Sequence, residues 1–169
     1  TSILYDRLMH TFSYGNMDDP GVYLDETNRR MIANLRNIFG RLAGELAEEG
    51  KNDEAIRVCD KCQELMPDES IRHNFYMLTI AEIYMQAGAP EKGEKLLSRL
   101  LDLYTQDMDF YLRFPRHKMQ QLDFDMQQAL AVINRVSMVA SHYKLSELET
   151  RSASALERLY NNYLNVTGR

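Results

Sequence analysis

Along most of the chain, apolar residues recur three and four positions apart. Phe39, Leu42, Ala43 and Leu46 follow the i, i+3, i+4, i+7 spacing of one helix face, and Met77, Ile80, Ala81 and Tyr84 repeat it. No stretch shows the strict alternation of a half-buried strand, so the pattern predicts an all-α chain. Turn signals fall at Pro20-Gly21, Gly50 to Asp53, Pro67-Asp68, Gly88 to Pro90 and Phe114-Pro115. Between them the spacing predicts helices over 27–49, 53–65, 70–87, 91–106, 118–143 and 146–164. Asp53, Ser70 and Ser146 are the expected N-caps, the last opening Ser146-Glu147-Leu148-Glu149 as a capping box. Residues 1–24, with Gly15, Asp18, Asp19, Pro20 and Gly21, are expected to be largely irregular, and 25–169 to form a single helical domain.

Shifting the chain by 38 residues lays Phe39 on Met77, Leu42 on Ile80, Ala43 on Ala81 and Leu46 on Tyr84. The same shift lays Gly50 on Gly88, Ala55 on Gly93, Cys59 on Leu97 and Cys62 on Leu100. Small residues at Ala43, Ala81, Ala55 and Gly93 would let paired helices approach, while the large ones fill the gap to the next pair. This pattern resembles the tetratricopeptide repeat, whose usual period is about 34 residues. The extra residues are expected at Asp68 to Arg72, as a longer link between pairs. Repeat units are expected at about 36–69 and 74–107. A divergent helical pair at 118–164, lacking the Gly turn and carrying Ser152 where Ala55 stands, would cap the stack. The resemblance implies hairpins stacked as a short right-handed superhelix. Its concave groove, a place for a peptide or partner helix, would be lined by Asn37, Gly44 and Glu48, and by Phe75, Glu82, Met85 and Gln86.

Composition narrows the function. With 44% hydrophobic and 27% charged residues, 169 residues suffice for an ordinary globular core. The net charge is −5 and the basic residues are scattered, which argues against a nucleic-acid binder. No apolar run reaches the roughly 20 residues of a membrane span, and no signal-peptide core opens the chain, so the expectation is a soluble piece. The start at Thr1-Ser2-Ile3, without Met, reads as a processed protein or part of a longer one.

Candidate chemistry is sparse. Cys59-Asp60-Lys61-Cys62 could be a metal clamp, a redox pair, or two small residues in a helix wall. The equivalent Leu97 and Leu100 favour the wall. The histidines, His10, His73, His117 and His142, are too scattered to complete a zinc site, and mid-helix thiols lack the helix N-terminus that lowers a thiol pKa. No cofactor or metal is expected. Asp102, Asp107, Asp109, Asp123 and Asp125 read as solvated surface, and Asn165-Val166-Thr167 as a chance glycosylation sequon. The connector from Tyr104 to Met126 gathers Phe110, Tyr111, Phe114 and Phe124 with Met108, Met119 and Met126 beside Arg113, Arg116 and Lys118. These aromatics either roof the core or form a docking patch centred on Phe110, Tyr111 and Phe114.

The opening ILYDRLMHTFSYGNMDD, then VYLDETNRRM and NLRNIFGRLAGELAEEGKNDEAIRVCDKCQELMPDE, resembles the C-terminal region of a Bacteroidetes family of multi-pass membrane proteins of unknown function. That family is related to the protein O-mannosyltransferase-like (GT-C) glycosyltransferases. The resemblance implies a periplasmic or extracytoplasmic domain, with catalysis in a membrane-embedded half outside this sequence, so no catalytic residue carries over. An oxidising compartment would invite a disulfide, but neighbouring turns of one helix hold Cys59 and Cys62 unfavourably for one, and free buried thiols are expected. Three readings follow: a non-catalytic interaction or bracing domain of a membrane-embedded, glycosyltransferase-like protein, partnered by protein or by the parent's own membrane part; a free-standing adaptor; and, a distant third, a thiol or metal enzyme.

Overall fold

The computed structural model describes residues 1–167 except the side chain of Arg116. Its elements are α1 (Ser2–Asp6), a π-helical turn (Arg7–Thr11), α2 (Glu26–Glu48), α3 (Asn52–Leu65), α4 (Met77–Ala87), α5 (Pro90–Tyr111), α6 (Arg116–His142) and α7 (Ser146–Thr167). No strand occurs among the described residues, as the hydrophobic period predicted. The chain forms two compact units, Thr1–Gly93 and Glu94–Arg169, with the boundary inside α5.

In the first unit α2 packs on α3 and α4, and α3 packs on α4. Asp25 caps α2 by accepting the Asn28 N–H at 2.7 Å. The helix then buries Ile32, Phe39, Leu42, Ala43 and Leu46 along one face. It ends where Gly50 turns left-handed (φ 75°), with Lys51 N–H bonding to Leu46 O at 2.8 Å and Gly50 N–H to Ala47 O at 3.0 Å. Asn52 opens α3, so Asp53 is not the cap but lies in the first turn with Glu54, where acids suit the helix dipole. The α4 end repeats the device: Gly88 has φ 94° and Ala89 N–H bonds to Tyr84 O at 2.8 Å. Pro90 then starts α5, a position where its missing N–H costs nothing.

The segment between α3 and α4 departs from expectation. A helix from Ser70 was predicted, but α4 begins only at Met77. Pro67 ends α3, and the Pro67 carbonyl accepts both Ser70 and Ile71 N–H groups in turns. The Asp68 carboxylate takes the His73 N–H at 2.6 Å. Buried Arg36 takes the carbonyls of Met66 (3.0 Å), Ile71 (2.5 Å) and Arg72 (2.9 Å), groups that a continuing helix would need for itself. Ser70 is therefore no N-cap; its hydroxyl donates to Asp18 O at 2.6 Å.

In the second unit α6 packs along α7, burying Met126, Ala129, Ile133, Val136 and Ala140 on one helix and Leu148, Ser152, Leu159 and Tyr163 on the other. Ser152 is satisfied within its own helix, its hydroxyl donating to Glu149 O at 3.1 Å. The turn between them uses Lys144 at φ 57°, with Leu145 N–H bonding to Ala140 O at 2.8 Å. Arg151 reaches Ser98 (3.0 Å) and Asp102 (2.8 Å), and Arg158 reaches Asp109 (2.7 Å), tying α7 to α5.

Candidate functional site

The N-terminal segment, expected to be largely irregular, begins with α1 and the π-helical turn and then crosses α2. Tyr14 anchors it: the ring packs against Phe39, centroids 6.1 Å apart, and the hydroxyl donates to Leu8 O at 2.7 Å. Burial raises the Tyr14 pKa above that of an ordinary phenol. The bond from Ser70 to Asp18 O pins the middle, and the Asp25 cap fixes the end. Between this segment and α2 lies a cleft of about 620 Å³.

One wall of the cleft carries Tyr14, Met17, Val22, Tyr23 and Leu24, the other Met31, Ile32, Leu35 and Ile38 of α2. Its polar side-chain groups are the amides of Asn16, Asn28 and Asn34 and the hydroxyls of Tyr14 and Tyr23, and no charged residue lines it. Tyr23 is 85% exposed and Met31 64% exposed, large apolar surface left to water. From Asn28 to Ile38 the helix wall runs about 15 Å at 1.5 Å per residue. The volume lies within the about 300–1,000 Å³ range common to ligand pockets, and the apolar lining with a few polar groups resembles theirs. The lining residues carry no carboxylate, imidazole, thiol or amine.

No known protein family, characterised protein or solved structure matches this chain.

The cysteines lie inside α3. Both are buried and free of any disulfide. Burial pushes the Cys62 thiol up to about 12, the nearby Arg36 guanidinium only partly opposing it, and burial raises Cys59 further, with Cys62 and Asp60 adding to the effect. Neither supplies thiolate near neutral pH. Leu97 and Leu100, their counterparts by the shift of 38, are buried too. Among the described residues no group of three or more His, Cys, Asp or Glu is placed to hold a metal. Beside Cys59, the Tyr84 hydroxyl donates to Asp60 Oδ1 at 2.7 Å and accepts from Gln63 at 2.8 Å, while Lys92 Nζ holds both Asp60 oxygens at 2.7 Å. This polar latch joins α3, α4 and the start of α5.

The expected groove residues differ in exposure. Asn37, Glu48, Phe75 and Gln86 are exposed, and Glu82 is half-buried. Gly44 faces α4, where a Cβ would touch Ile83 at 3.9 Å. Met85 is buried against Gly93, which removes it from any ligand-facing surface. The aromatic connector divides. Tyr104, Met108, Met119 and Met126 are buried, whereas Phe110 is 54% and Phe124 74% exposed. Phe110 packs edge-on to Phe114 at 5.1 Å and to Tyr111 at 6.0 Å, and Lys118 sits 5.9 Å from the Phe114 ring centre. The acids have local work: Asp102 and Asp109 hold arginines, and Asp123 accepts from Tyr163 at 2.6 Å and Gln127 at 2.8 Å. The sequon at Asn165 lies in the last turn of α7.

Sequence reasoning missed the cleft, though half of it was written in α2. Met31, Leu35 and Ile38 fall at i, i+4, i+7, a second apolar stripe beside the core stripe of Ile32, Phe39, Ala43 and Leu46. A helix with two such stripes has more apolar surface than one neighbour covers.

Proposed function

We propose that this chain is a non-catalytic protein-interaction domain, the extracytoplasmic part of a larger membrane-embedded, glycosyltransferase-like protein. The observation that carries the interaction role is the uncharged cleft along α2, with Tyr23 and Met31 left exposed at its edge. The membrane attachment is supported by the sequence resemblance described above. No described helix is itself long and apolar enough to cross a membrane.

The same proposal reads α2–α3 and α4–α5 as two tetratricopeptide-like hairpins. Support comes from the turns at Gly50 and Gly88, which repeat the same left-handed residue and the same 2.8 Å capping bond at an offset of 38. It also comes from the burial of Ala43, Ala81, Ala55 and Gly93 at the small-residue positions. The repeat reading implies stacking into a short superhelix. Burial and raised pKa values at Cys59 and Cys62 weigh against a thiol enzyme.

A photo-crosslinking residue in place of Tyr23, in the native cell, tests the interaction role. A discrete adduct with another polypeptide, or with a distant part of the same one, is expected. Irradiation that yields no adduct there while a buried control at Leu42 crosslinks within the domain contradicts it.

A further inference from the structure

Where α5 passes into α6, aromatic rings and basic side chains share one corner of the second unit. Phe110 is more than half exposed and packs edge-on to Phe114 at 5.1 Å. Lys118 Nζ stands 5.9 Å from the centre of the Phe114 ring, so rings and cation belong to one surface. Arg113, between the two phenylalanines in sequence, is exposed as well. The local charge runs against that of the chain: residues 110–122 hold three of the 20 Lys and Arg and none of the 25 Asp and Glu, within a net charge of −5. The flanking acids are engaged or set apart. Arg158 donates to both oxygens of Asp109 at 2.7 and 3.2 Å, and Asp123 accepts from Tyr163 and Gln127. Asp107 is half-buried, and Asp125 lies two turns beyond Lys118 along α6.

A single exposed phenylalanine is ordinary, but rings packed together beside cations match the two layers of a bilayer surface at once. Anionic headgroups meet the positive charge, and the boundary with the acyl chains takes the rings. An acidic protein surface without a pocket would meet the charge and leave the Phe110 ring in water. We infer that this corner docks on an anionic lipid surface, Phe110 and Phe114 entering the boundary between headgroups and acyl chains while Arg113 and Lys118 meet lipid phosphates. The inference goes beyond the interaction role assigned to the α2 cleft and concerns the second unit alone.

The chain has no tryptophan, so Phe110→Trp installs a sole indole reporter at the corner. The test titrates this protein with vesicles of equal parts phosphatidylglycerol and phosphatidylcholine, and with vesicles of phosphatidylcholine alone. Saturable blue-shifted emission, quenched by lipids brominated near the headgroup end of their acyl chains, is expected with the anionic vesicles at least about tenfold more tightly than with the neutral ones. In the chain without the reporter, co-sedimentation with anionic vesicles should weaken about tenfold or more for Arg113→Glu/Lys118→Glu, and several-fold for Phe110→Ala. Met138→Ala, at another exposed apolar residue roughly 30 Å further along α6, should change nothing, and circular dichroism checks that every variant stays folded. Equal binding to the two kinds of vesicle, emission that neither shifts nor is quenched, unchanged co-sedimentation of the variants, or a lack of saturable binding would overturn the inference. So would a reporter that responds to polyglutamate and not to vesicles, which would make the occupant an acidic protein. None of these outcomes bears on attachment to a membrane-embedded parent, which detergent fractionation of the native protein decides.

Discussion

The guanidinium of Arg36 donates to the carbonyl of Met66, the residue that closes α3, at 3.0 Å. With its bonds to Ile71 and Arg72 it supplies, from α2, the donors that the end of α3 and the following link lack. Arg36→Ala would leave buried carbonyls unsatisfied and open a cavity, a loss of about 3–5 kcal/mol. Arg36→Lys keeps the charge with fewer, differently directed donors and should lose about 1–2 kcal/mol. Urea unfolding measures both, and an unchanged midpoint for Arg36→Ala would contradict the capping role.

Gly93 lets α5 approach α4 more closely than any side chain allows. A Cβ there would stand 2.8 Å from the Ala81 carbonyl oxygen and 2.6 Å from the Met85 sulfur. Gly93→Ala should cost about 1–3 kcal/mol. Trimming Met85 to alanine should not restore the loss, because the backbone oxygen stays in place. Recovery in the double variant would move the clash to the side chain alone.

Lys144 holds the left-handed position that glycine fills at Gly50 and Gly88. A side chain there costs about 1–2 kcal/mol, partly offset by the greater freedom of glycine in the unfolded chain. Lys144→Gly should therefore raise stability by up to about 1 kcal/mol, read as a higher thermal midpoint. A lower midpoint would show that the lysine makes compensating contacts.

Cys59, Cys62 and Tyr84 all have folded pKa values above their ordinary ones, chiefly because burial disfavours the charged form. Each group then holds its proton more tightly in the folded chain than in the unfolded one. The stabilisation is complete below the ordinary thiol value of 9.0 and is lost as pH rises through the folded values, for Cys62 toward about 12. The urea midpoint should be flat with respect to these groups from about pH 6 to 8 and fall above about pH 9. In Cys59→Ala/Cys62→Ala protein the fall should begin nearer the ordinary tyrosine value of 10.0. A thiol reagent at pH 8 should react with both cysteines only as fast as the chain opens. Rapid reaction in native protein would contradict their burial.

Much of the fold was legible because it depends on local pattern. The core faces of α2 and α4, the glycine turns and the burial of the cysteines all follow from helical spacing and from the match of residues 38 positions apart. What sequence missed depends on contacts across the chain. Nothing near Ser70 announces that Arg36 will claim the carbonyls around it, so a helix was expected where turns form. The Lys144 turn was hidden because no glycine marks it. The cleft needed the path of residues 14–24 over α2, although Met31, Leu35 and Ile38 already showed an unclaimed stripe. Met85 looked groove-facing by periodicity, and only the closeness of Gly93 reveals it as packed.

The central proposal is an interaction domain attached to a membrane-embedded parent. Fractionation of the native cell, with an antibody to this domain and the intact mass of the species it detects, tests that most directly. A large species that leaves the membrane only with detergent is the predicted result. A species of about the chain's 19.7 kDa, recovered without detergent, would contradict the attachment.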